Sequence, residues 1–199
     1  MEKWQIELLT ECERYPVITF DVFDTLVLRM VSRPTEVFSK LHGRMFSIAR
    51  QGAERIARRF NRKEEIELSD IYRFLPGYNM DEEIQIEKNV CFANPYMAEV
   101  YQILKKNDKK IYAISDMYLS KKDIEDILQK SNYVLEDVYV SSEYGVCKKT
   151  GNLFKVFCEN TGIKPEKILH IGDNLDSDVE GAKMMEINGF LVPSVKKIL

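Results

Sequence analysis

Short apolar runs alternate with amphipathic stretches along this 199-residue chain. Runs rich in β-branched and aromatic residues begin at Pro16, Lys110, Asp137, Lys167 and Gly189, and each ends in a polar turn. Nearly continuous apolar strands are typical of a parallel sheet that is covered on both faces. Amphipathic helices are predicted between the strands, over residues 97–106, 120–130, 153–160 and 178–187. The pattern therefore predicts an α/β protein with an open parallel sheet flanked by helices.

One long segment interrupts this alternation. Between the first two apolar runs, helical patterns occupy residues 34–51, 53–61, 69–75 and 80–92. We therefore predict a core domain made of residues 1–29 and 93–199, with a helical cap inserted at residues 30–92. The insertion carries a basic cluster, which is typical of a solvated helix face, although an anion or partner site is the alternative. The cluster consists of Arg55, Arg58, Arg59, Arg62 and Lys63.

Composition and charge narrow the class of protein. The chain has 29 basic and 32 acidic residues and a net charge of −3, which argues against a chain-wide nucleic-acid footprint. Its four cysteines lack the spacing of a zinc or redox motif. The N-terminal stretch does not resemble a signal peptide, and no apolar run approaches the roughly 20 residues that span a bilayer. We expect a soluble cytoplasmic protein with reduced thiols and no membrane or nucleic-acid partner.

Polar residues follow four of the predicted strands, at the points where the strands end. In a parallel α/β sheet these ends meet at one edge, where ligands bind. The residues are therefore expected to lie close together, although any of the acids could instead cap a helix or a turn. The set is Asp21, Asp24, Thr25, Ser115, Asp116, Lys148, Asp173, Asn174 and Asp178.

This set suits phosphoryl transfer through a covalent aspartyl phosphate. Such a reaction needs a carboxylate nucleophile, donors for the phosphoryl oxygens and a cation that offsets the repulsion between anions. Asp21 is the predicted nucleophile. Ser115 and Lys148 are predicted to bind phosphoryl oxygens, and Lys148 also to steady Asp21. Asp173 and Asp178 would complete a Mg²⁺ site with Asp21.

The order of these groups along the chain resembles that of the haloacid dehalogenase superfamily. Residues 21–26 (DVFDTL) resemble its first motif, Ser115 its second, Lys148 its third, and residues 172–178 its fourth. The spacing to Phe154 favours Lys148 over Lys149 as the third motif. The resemblance covers residues 16–192. It implies a Rossmann-like core, a cap at the first insertion point and a metal-binding backbone carbonyl at Phe23.

The first motif departs from the family pattern. Phosphatases of the superfamily carry a second aspartate two residues after the nucleophile, which protonates the leaving group; here that position is Phe23. Because Thr25 keeps the register, Asp24 stands where the family usually has glycine. Loss of a general acid costs about 10²–10⁴-fold in rate. Either Asp24 takes over as the acid, or the substrate has a good leaving group.

The sequence is therefore compatible with three functions. The first is a Mg²⁺-dependent phosphohydrolase that acts on a small phosphorylated metabolite. The second is a catalytically impaired binding or accessory module. The third is a carbon–halogen hydrolase, since dehalogenases of the superfamily also lack the acid and act without Mg²⁺. Residues 20–26 resemble superfamily members that are encoded with, or fused to, bacterial glycosyltransferases. That association implies a sugar phosphate or nucleotide-sugar substrate and a glycosyltransferase partner.

Other residues near the motifs have two readings each. Arg29 and Arg33 are candidates for recognising an anionic substrate, or are surface arginines. Asp116 and His170 are expected to be structural or to support the site. Asp176 is expected to cap a helix or to support the ligands. Thr25, Asp116, Arg29 and Asn174 complete the predicted substrate-binding set, together with Ser115.

Overall fold

The computed structural model describes residues 1–195. Five strands form one parallel sheet, as the apolar runs predict, and their order in the sheet is β5-β4-β1-β6-β7. Two further strands, β2 and β3, form a separate antiparallel ribbon. The strands are β1 (Val17–Phe20), β2 (Val27–Arg29), β3 (Cys91–Ala93), β4 (Lys110–Ser115), β5 (Val138–Val140), β6 (Ile168–Gly172) and β7 (Asn188–Leu191).

The topology of the sheet explains where a ligand would bind. All four residues of β1 are buried, and β1 pairs with β4 on one side and with β6 on the other. The chain builds β4 and β5 on one side of β1 and then crosses over to build β6 and β7. The order of the strands therefore reverses between β1 and β6. In open α/β sheets the crevice at such a switch point is the usual ligand site.

The helices of the core are α1 (Lys3–Cys12), α5 (Pro95–Lys106), α6 (Lys121–Lys130), α7 (Ser141–Tyr144), α8 (Asn152–Thr161) and α9 (Gly181–Lys183). Of these, α5, α6 and α8 lie close to their predicted positions, whereas α1 and α7 were not predicted. Between β2 and β3 lie α2 (Glu36–Phe60), α3 (Leu68–Tyr72) and α4 (Met80–Val90). The side chain of Ser120 caps α6, because its Oγ accepts from the amide of Asp123 at 3.2 Å.

The prediction of one helix over residues 178–187 is wrong. A π-helical turn occupies Leu175–Glu180, and only the short α9 follows it. The wide turn brings the Asp178 carboxylate back against β6, so closely that a Cβ atom at Gly172 would lie 2.1 Å from Asp178 Oδ2. The turn thus places an acidic side chain where a regular helix would not. Such π-turns are frequent at functional sites.

The insertion differs from its prediction in one respect. Instead of two helices that meet near Gly52, a single α2 runs through that residue and is kinked at His42 and Gly43. Gly43 has a φ of 81°, which residues with a side chain rarely adopt, whereas Gly52 stays helical. The five residues of the basic cluster are exposed, in keeping with a solvated face.

Apolar side chains of the insertion pack into the same cluster as those of the core. Phe38, Ile66 and Ile71 belong to the cluster that also contains Phe20 and Leu119. The insertion is therefore packed on the core over a shared apolar surface. Among residues 1–195, no helix combines the length and apolar character needed to cross a membrane.

Candidate active site

Three carboxylates meet around one ammonium group at the carboxyl ends of β1 and β6. Oxygen atoms of Asp21, Asp173 and Asp178 lie within 4.8 Å of one another. The Lys148 ammonium donates to Asp21 Oδ1 at 2.5 Å and to Asp178 Oδ1 at 2.6 Å. The Asp21 amide donates to the carbonyl of Ile171 at 2.8 Å, which fixes the first loop to β6. The sheet thus brings residues that are far apart in the sequence to one point.

The cluster has more negative than positive charge. Burial raises the pKa of Asp21 to about 8, since the attraction of Lys148 is offset by repulsion from Asp178 and Asp173. The pKa of Asp173 is also raised, mainly by burial and next by Asp24. A site with an excess of buried carboxylate charge is suited to a divalent cation.

A buried hydrogen-bonded chain supports Asp178. His170 Nε2 lies 3.4 Å from Asp178 Oδ1, and His170 Nδ1 lies 2.8 Å from Thr19 Oγ1. Burial lowers the pKa of His170, so the ring is neutral and carries one proton. Because a carboxylate only accepts, that proton belongs on Nε2, and the Thr19 hydroxyl donates to Nδ1. The expectation that His170 supports the site agrees with this geometry.

Asp178 has a partner for each of its oxygens. Its Oδ1 accepts from Lys148, and its Oδ2 accepts from the amide of Asn174 at 2.9 Å. Lys148 and His170 outweigh the effect of burial and hold the pKa of Asp178 below its usual range. Asp178 is thus an ionised anchor for Lys148, within reach of the same point as Asp21 and Asp173.

Ser115 ends β4 with a buried hydroxyl group. The residue is 1% exposed, and its Oγ has no hydrogen-bond partner among residues 1–195. A buried hydroxyl without a partner costs free energy unless a ligand or water satisfies it. Ser115 itself is not among the residues that line the cavity around the carboxylates.

Asp116, in the next position, holds the loop that carries Lys148. Both carboxylate oxygens accept from the backbone amide of Lys148, at 2.9 and 3.1 Å. The structure gives Asp116 a supporting contact within the protein, whereas the sequence also made it a candidate for substrate binding. Lys149 is exposed, and its ammonium lies 3.4 Å from Asp176. Lys148 rather than Lys149 therefore faces the carboxylates.

The first loop bends sharply after Asp21. Asp24 has a φ of 60°, the left-handed conformation that glycine adopts most easily. This agrees with the register that places Asp24 at the usual glycine position of the motif. The Thr25 hydroxyl donates to Asp173 Oδ1 at 3.4 Å, and Asn94 Nδ2 donates to the Thr25 carbonyl at 2.8 Å. Thr25 thus faces a candidate metal ligand.

The backbone and the ring of Phe23 make separate contacts. A bridge between Phe23 and Val27 uses the carbonyl of Val22 and the amide of Asp24, and so leaves out the Phe23 carbonyl oxygen. The Phe23 ring packs under the Arg29 guanidinium, whose central carbon lies 4.0 Å from the ring centroid.

Two of the predicted substrate-binding residues have partners within the protein. Arg29 is largely buried and donates from Nε to Glu87 at 3.0 Å. Asn174 accepts through its side chain from the amides of Asp176 and Ser177. Asn174, not Asp176, therefore caps the π-helical turn, which corrects the capping role expected of Asp176.

Two cavities adjoin the carboxylate cluster. The first, of about 410 Å³, contains the cluster and is also lined by Phe23 and Asn174. The second, of about 440 Å³, is lined by Arg29, Phe92 and residues of β2. Asp24 lines both cavities. Asp24 is therefore accessible from the cavity around the carboxylates and from the second cavity.

Sequence reasoning missed three supporting residues. Thr19 is a polar residue inside an apolar strand, and that position was a usable signal. Asn94 precedes a proline at the start of α5, so its capping role could have been predicted. Its hydrogen bond to the Thr25 carbonyl could not. Glu64, in the insertion, gives no local signal at all, because its partners lie 83 residues and more along the chain.

Comparison with known proteins shows the family to which the chain belongs. A model of the haloacid dehalogenase-like hydrolase family matches residues 15–185. A curated glyceraldehyde 3-phosphate phosphatase of Methanopyrus kandleri is 35% identical over 51 residues, or 26% of this chain. That match spans only 22% of the length of the relative.

Solved structures share the fold at low sequence identity. A HAD family enzyme of Bacteroides thetaiotaomicron, in complex with magnesium and inorganic phosphate, aligns with a TM-score of 0.63 and 16% identity over 89% of this chain and 93% of that one. A HAD phosphatase of Thermococcus onnurineus aligns with a TM-score of 0.65 and 16% identity over 88% and 85%. With the family model spanning most of the sequence, this chain belongs to the haloacid dehalogenase-like hydrolases.

Proposed function

We propose that this hydrolase is a Mg²⁺-dependent phosphohydrolase that acts on small phosphorylated metabolites through an aspartyl-phosphate intermediate. One observation carries the proposal: Asp21, Asp173 and Asp178 share one point at the switch of the sheet, with Lys148 donating to two of them. The solved relatives that contain magnesium and phosphate support it by analogy of fold.

The donor set fits a hard divalent cation. Mg²⁺ prefers carboxylate and carbonyl oxygens, and the cluster offers three carboxylates whose charge exceeds that of Lys148. Asp21, Asp173 and the Phe23 carbonyl would hold the ion, and Asp178 would complete the set while anchoring Lys148. When bound, Mg²⁺ would neutralise charge on the phosphoryl group and on the nucleophile.

The protein side chains have distinct parts in this reaction. Asp21 attacks the phosphorus atom, and the ester bond to the leaving group breaks. Lys148 and the unpartnered Ser115 hydroxyl donate to the phosphoryl oxygens as charge moves onto them. Thr25 orients Asp173 from one side, and Asp116 fixes the backbone of Lys148 from the other. Water then attacks the aspartyl phosphate and regenerates Asp21.

Asp24 is the proposed source of the leaving-group proton. It lines both the cavity that holds the carboxylates and the adjoining cavity of about 440 Å³, where a leaving group has room. The ring of Phe23, which replaces the usual acid, is occupied by Arg29. The leaving group is proposed to be a sugar or nucleotide-sugar fragment, and a glycosyltransferase is proposed as a partner.

A screen of phosphorylated compounds with and without Mg²⁺ tests the proposal. Release of inorganic phosphate should require Mg²⁺ and should be lost in Asp21→Asn. Halide release from 2-haloacids without metal would support the dehalogenase alternative instead. No turnover of either class by a folded protein would favour the binding module, which is the reading that Phe23 at the acid position supports.

A further inference from the structure

The segment between α2 and α3 runs along the core loop that carries Lys148. The backbone amide of Glu64 donates to the carbonyl of Gly145 at 3.0 Å. Gly145 has a φ of 66°, and a Cβ atom there would lie 2.6 Å from Lys63 Cδ. The insertion therefore approaches this loop more closely than a side chain at position 145 would permit.

The Glu64 carboxylate accepts three hydrogen bonds from residues on either side of Lys148. The amide of Cys147 donates at 2.9 Å and the Thr150 hydroxyl at 2.7 Å, both to Oε2. The Asn152 amide group donates to Oε1 at 2.6 Å. Burial alone would raise the pKa of Glu64, but the bonds from Thr150 and Cys147 outweigh it, and the pKa is lowered. The carboxylate is therefore ionised and well suited to hold three donors.

The next residue, Glu65, contacts the start of α7. Its Oε2 lies 3.3 Å from the hydroxyl of Ser141, and Ser141 Oγ accepts from the amide of Met117 at 2.8 Å. Arg58 of α2 donates to Glu65 Oε1 at 2.6 Å. Glu65 is therefore linked to the loop that follows Ser115 only through Ser141, whereas Glu64 contacts the Lys148 loop directly.

We infer that Glu64 is a positioning residue, through which the insertion holds Lys148 in its reactive place. The inference rests on the proposed function, in which Lys148 donates to the phosphoryl group. Lys148 must reach Asp21 and Asp178 at once. Its amide donates to Asp116, its carbonyl accepts from the amide of Gly151 at 2.8 Å, and the loop around it is bound by Glu64. A displacement of about 1 Å in such a group can cost about 10²-fold in rate.

The test compares Glu64→Ala with Glu64→Gln, and uses Glu82→Ala as the matched control. Glu82 is also an exposed glutamate of the insertion, but its partner is His42 within the insertion. With p-nitrophenyl phosphate and Mg²⁺, Glu64→Ala should lower kcat by about 10–100-fold and change KM by less than about 3-fold. Glu64→Gln should retain most of kcat, because one amide oxygen can still accept from Cys147 and Thr150. Glu82→Ala should match the wild type.

Hydrogen–deuterium exchange supplies a readout that does not depend on turnover. Exchange of residues 145–152 should rise in Glu64→Ala and stay unchanged in Glu64→Gln and Glu82→Ala, with similar melting temperatures in all of them. Unchanged exchange in Glu64→Ala overturns the inference, and so does a kcat equal to that of Glu82→Ala. A wild-type protein that is inert toward every phosphorylated compound overturns the proposed function, and the inference with it. An active wild type with an unimpaired Glu64→Ala overturns the inference alone.

Discussion

Two buried clusters of charged side chains differ in their balance. In the insertion, Arg50 and Glu83 are 0% exposed and form a two-pronged ion pair, with both N–O distances at 2.6 Å. Tyr72 donates to the same carboxylate at 3.0 Å. At the end of the sheet, three carboxylates (Asp21, Asp173 and Asp178) lie together, and within residues 1–195 Lys148 is the one cationic side chain that donates to them. The first cluster is satisfied by the protein itself, whereas the second has an excess of carboxylates, which the proposed cation would offset.

The difference separates two uses of buried charge. A matched pair with its hydrogen bonds filled fixes one arrangement of helices, and breaking it leaves an uncompensated charge. In the unmatched cluster, burial and next the repulsion between carboxylates raise the pKa of Asp21 and of Asp173. Such repulsion is useful only where a ligand relieves it. The imbalance, more than the presence of charged residues, marks the functional site.

The largest expected effect comes from Asp21→Asn. Loss of the nucleophile should lower kcat by about 10⁴-fold or more. The folded protein should not be weakened, because the substitution removes a charge whose burial is unfavourable, and at pH 9 we expect a gain of about 1 kcal/mol. Phosphate release and chemical denaturation measure the two quantities. A loss of stability comparable with the loss expected on breaking a buried pair would contradict the contrast between the clusters.

The next largest effect is expected from Glu83→Gln, which should change stability rather than activity. Removal of the charge that faces buried Arg50 should lower the free energy of unfolding by about 3–5 kcal/mol. The kcat of the remaining folded protein should be nearly unchanged. Glu82→Gln, at the exposed neighbouring position, is the control and should stay within about 0.5 kcal/mol of the wild type. Equal stability of the two variants in urea would show that the pair is not structural.

The fold could be predicted from the sequence where a local residue pattern determines the structure. Apolar runs placed the five strands of the sheet, and polar residues at their ends gave the group around Asp21 and Lys148. The ribbon of β2 and β3 was missed, because three-residue strands carry too few positions for a pattern. The π-helical turn was missed since its cause is a long-range one, the approach of Asp178 to Gly172 and Lys148.

The ion-pair partners of charged side chains were the hardest property to predict from the sequence. Arg29 stood beside the first motif and was a reasonable candidate for an anionic substrate, yet it lies against Glu87, 58 residues away. Arg50 gave no sign of being buried, because the partner that makes burial acceptable is 33 residues distant. The sequence shows which side chains carry charge, but the tertiary structure determines which of them form ion pairs.

A smaller effect should appear in the pH dependence of Mg²⁺ binding. Burial raises the pKa of Asp21 to about 8, so below that pH the ion must displace a proton. The affinity for Mg²⁺ should therefore weaken as the pH falls from 8 to 6, by up to about tenfold per pH unit for one displaced proton. Calorimetric titration at each pH measures it. In Asp21→Asn this dependence should be lost, and a pH-independent affinity in the wild type would contradict the assignment.

The smallest expected effect concerns the neighbouring lysine. Lys149 is exposed and pairs with the exposed Asp176, and such surface pairs contribute little. Lys149→Ala should keep kcat/KM within about 2-fold of the wild type, whereas Lys148→Ala should lose activity by about 10²-fold or more. Kinetics of the two variants under one set of conditions decide between them. The reverse order would assign the catalytic role to Lys149.

The antiparallel ribbon of β2 and β3 has a consequence for exchange of parts between related proteins. Because Val27 pairs with Ala93, the chain leaves the core and returns to it at adjacent positions. A foreign insert could be spliced there without changing the ends of the five-stranded sheet. It would have to cover the apolar surface that the insertion shares with the core, and it would lack the carboxylate that reaches across to Cys147 and Thr150. Exchange of the insertion would then preserve the architecture more easily than the activity. A transplanted insert would need an acidic residue at the position of Glu64 to work.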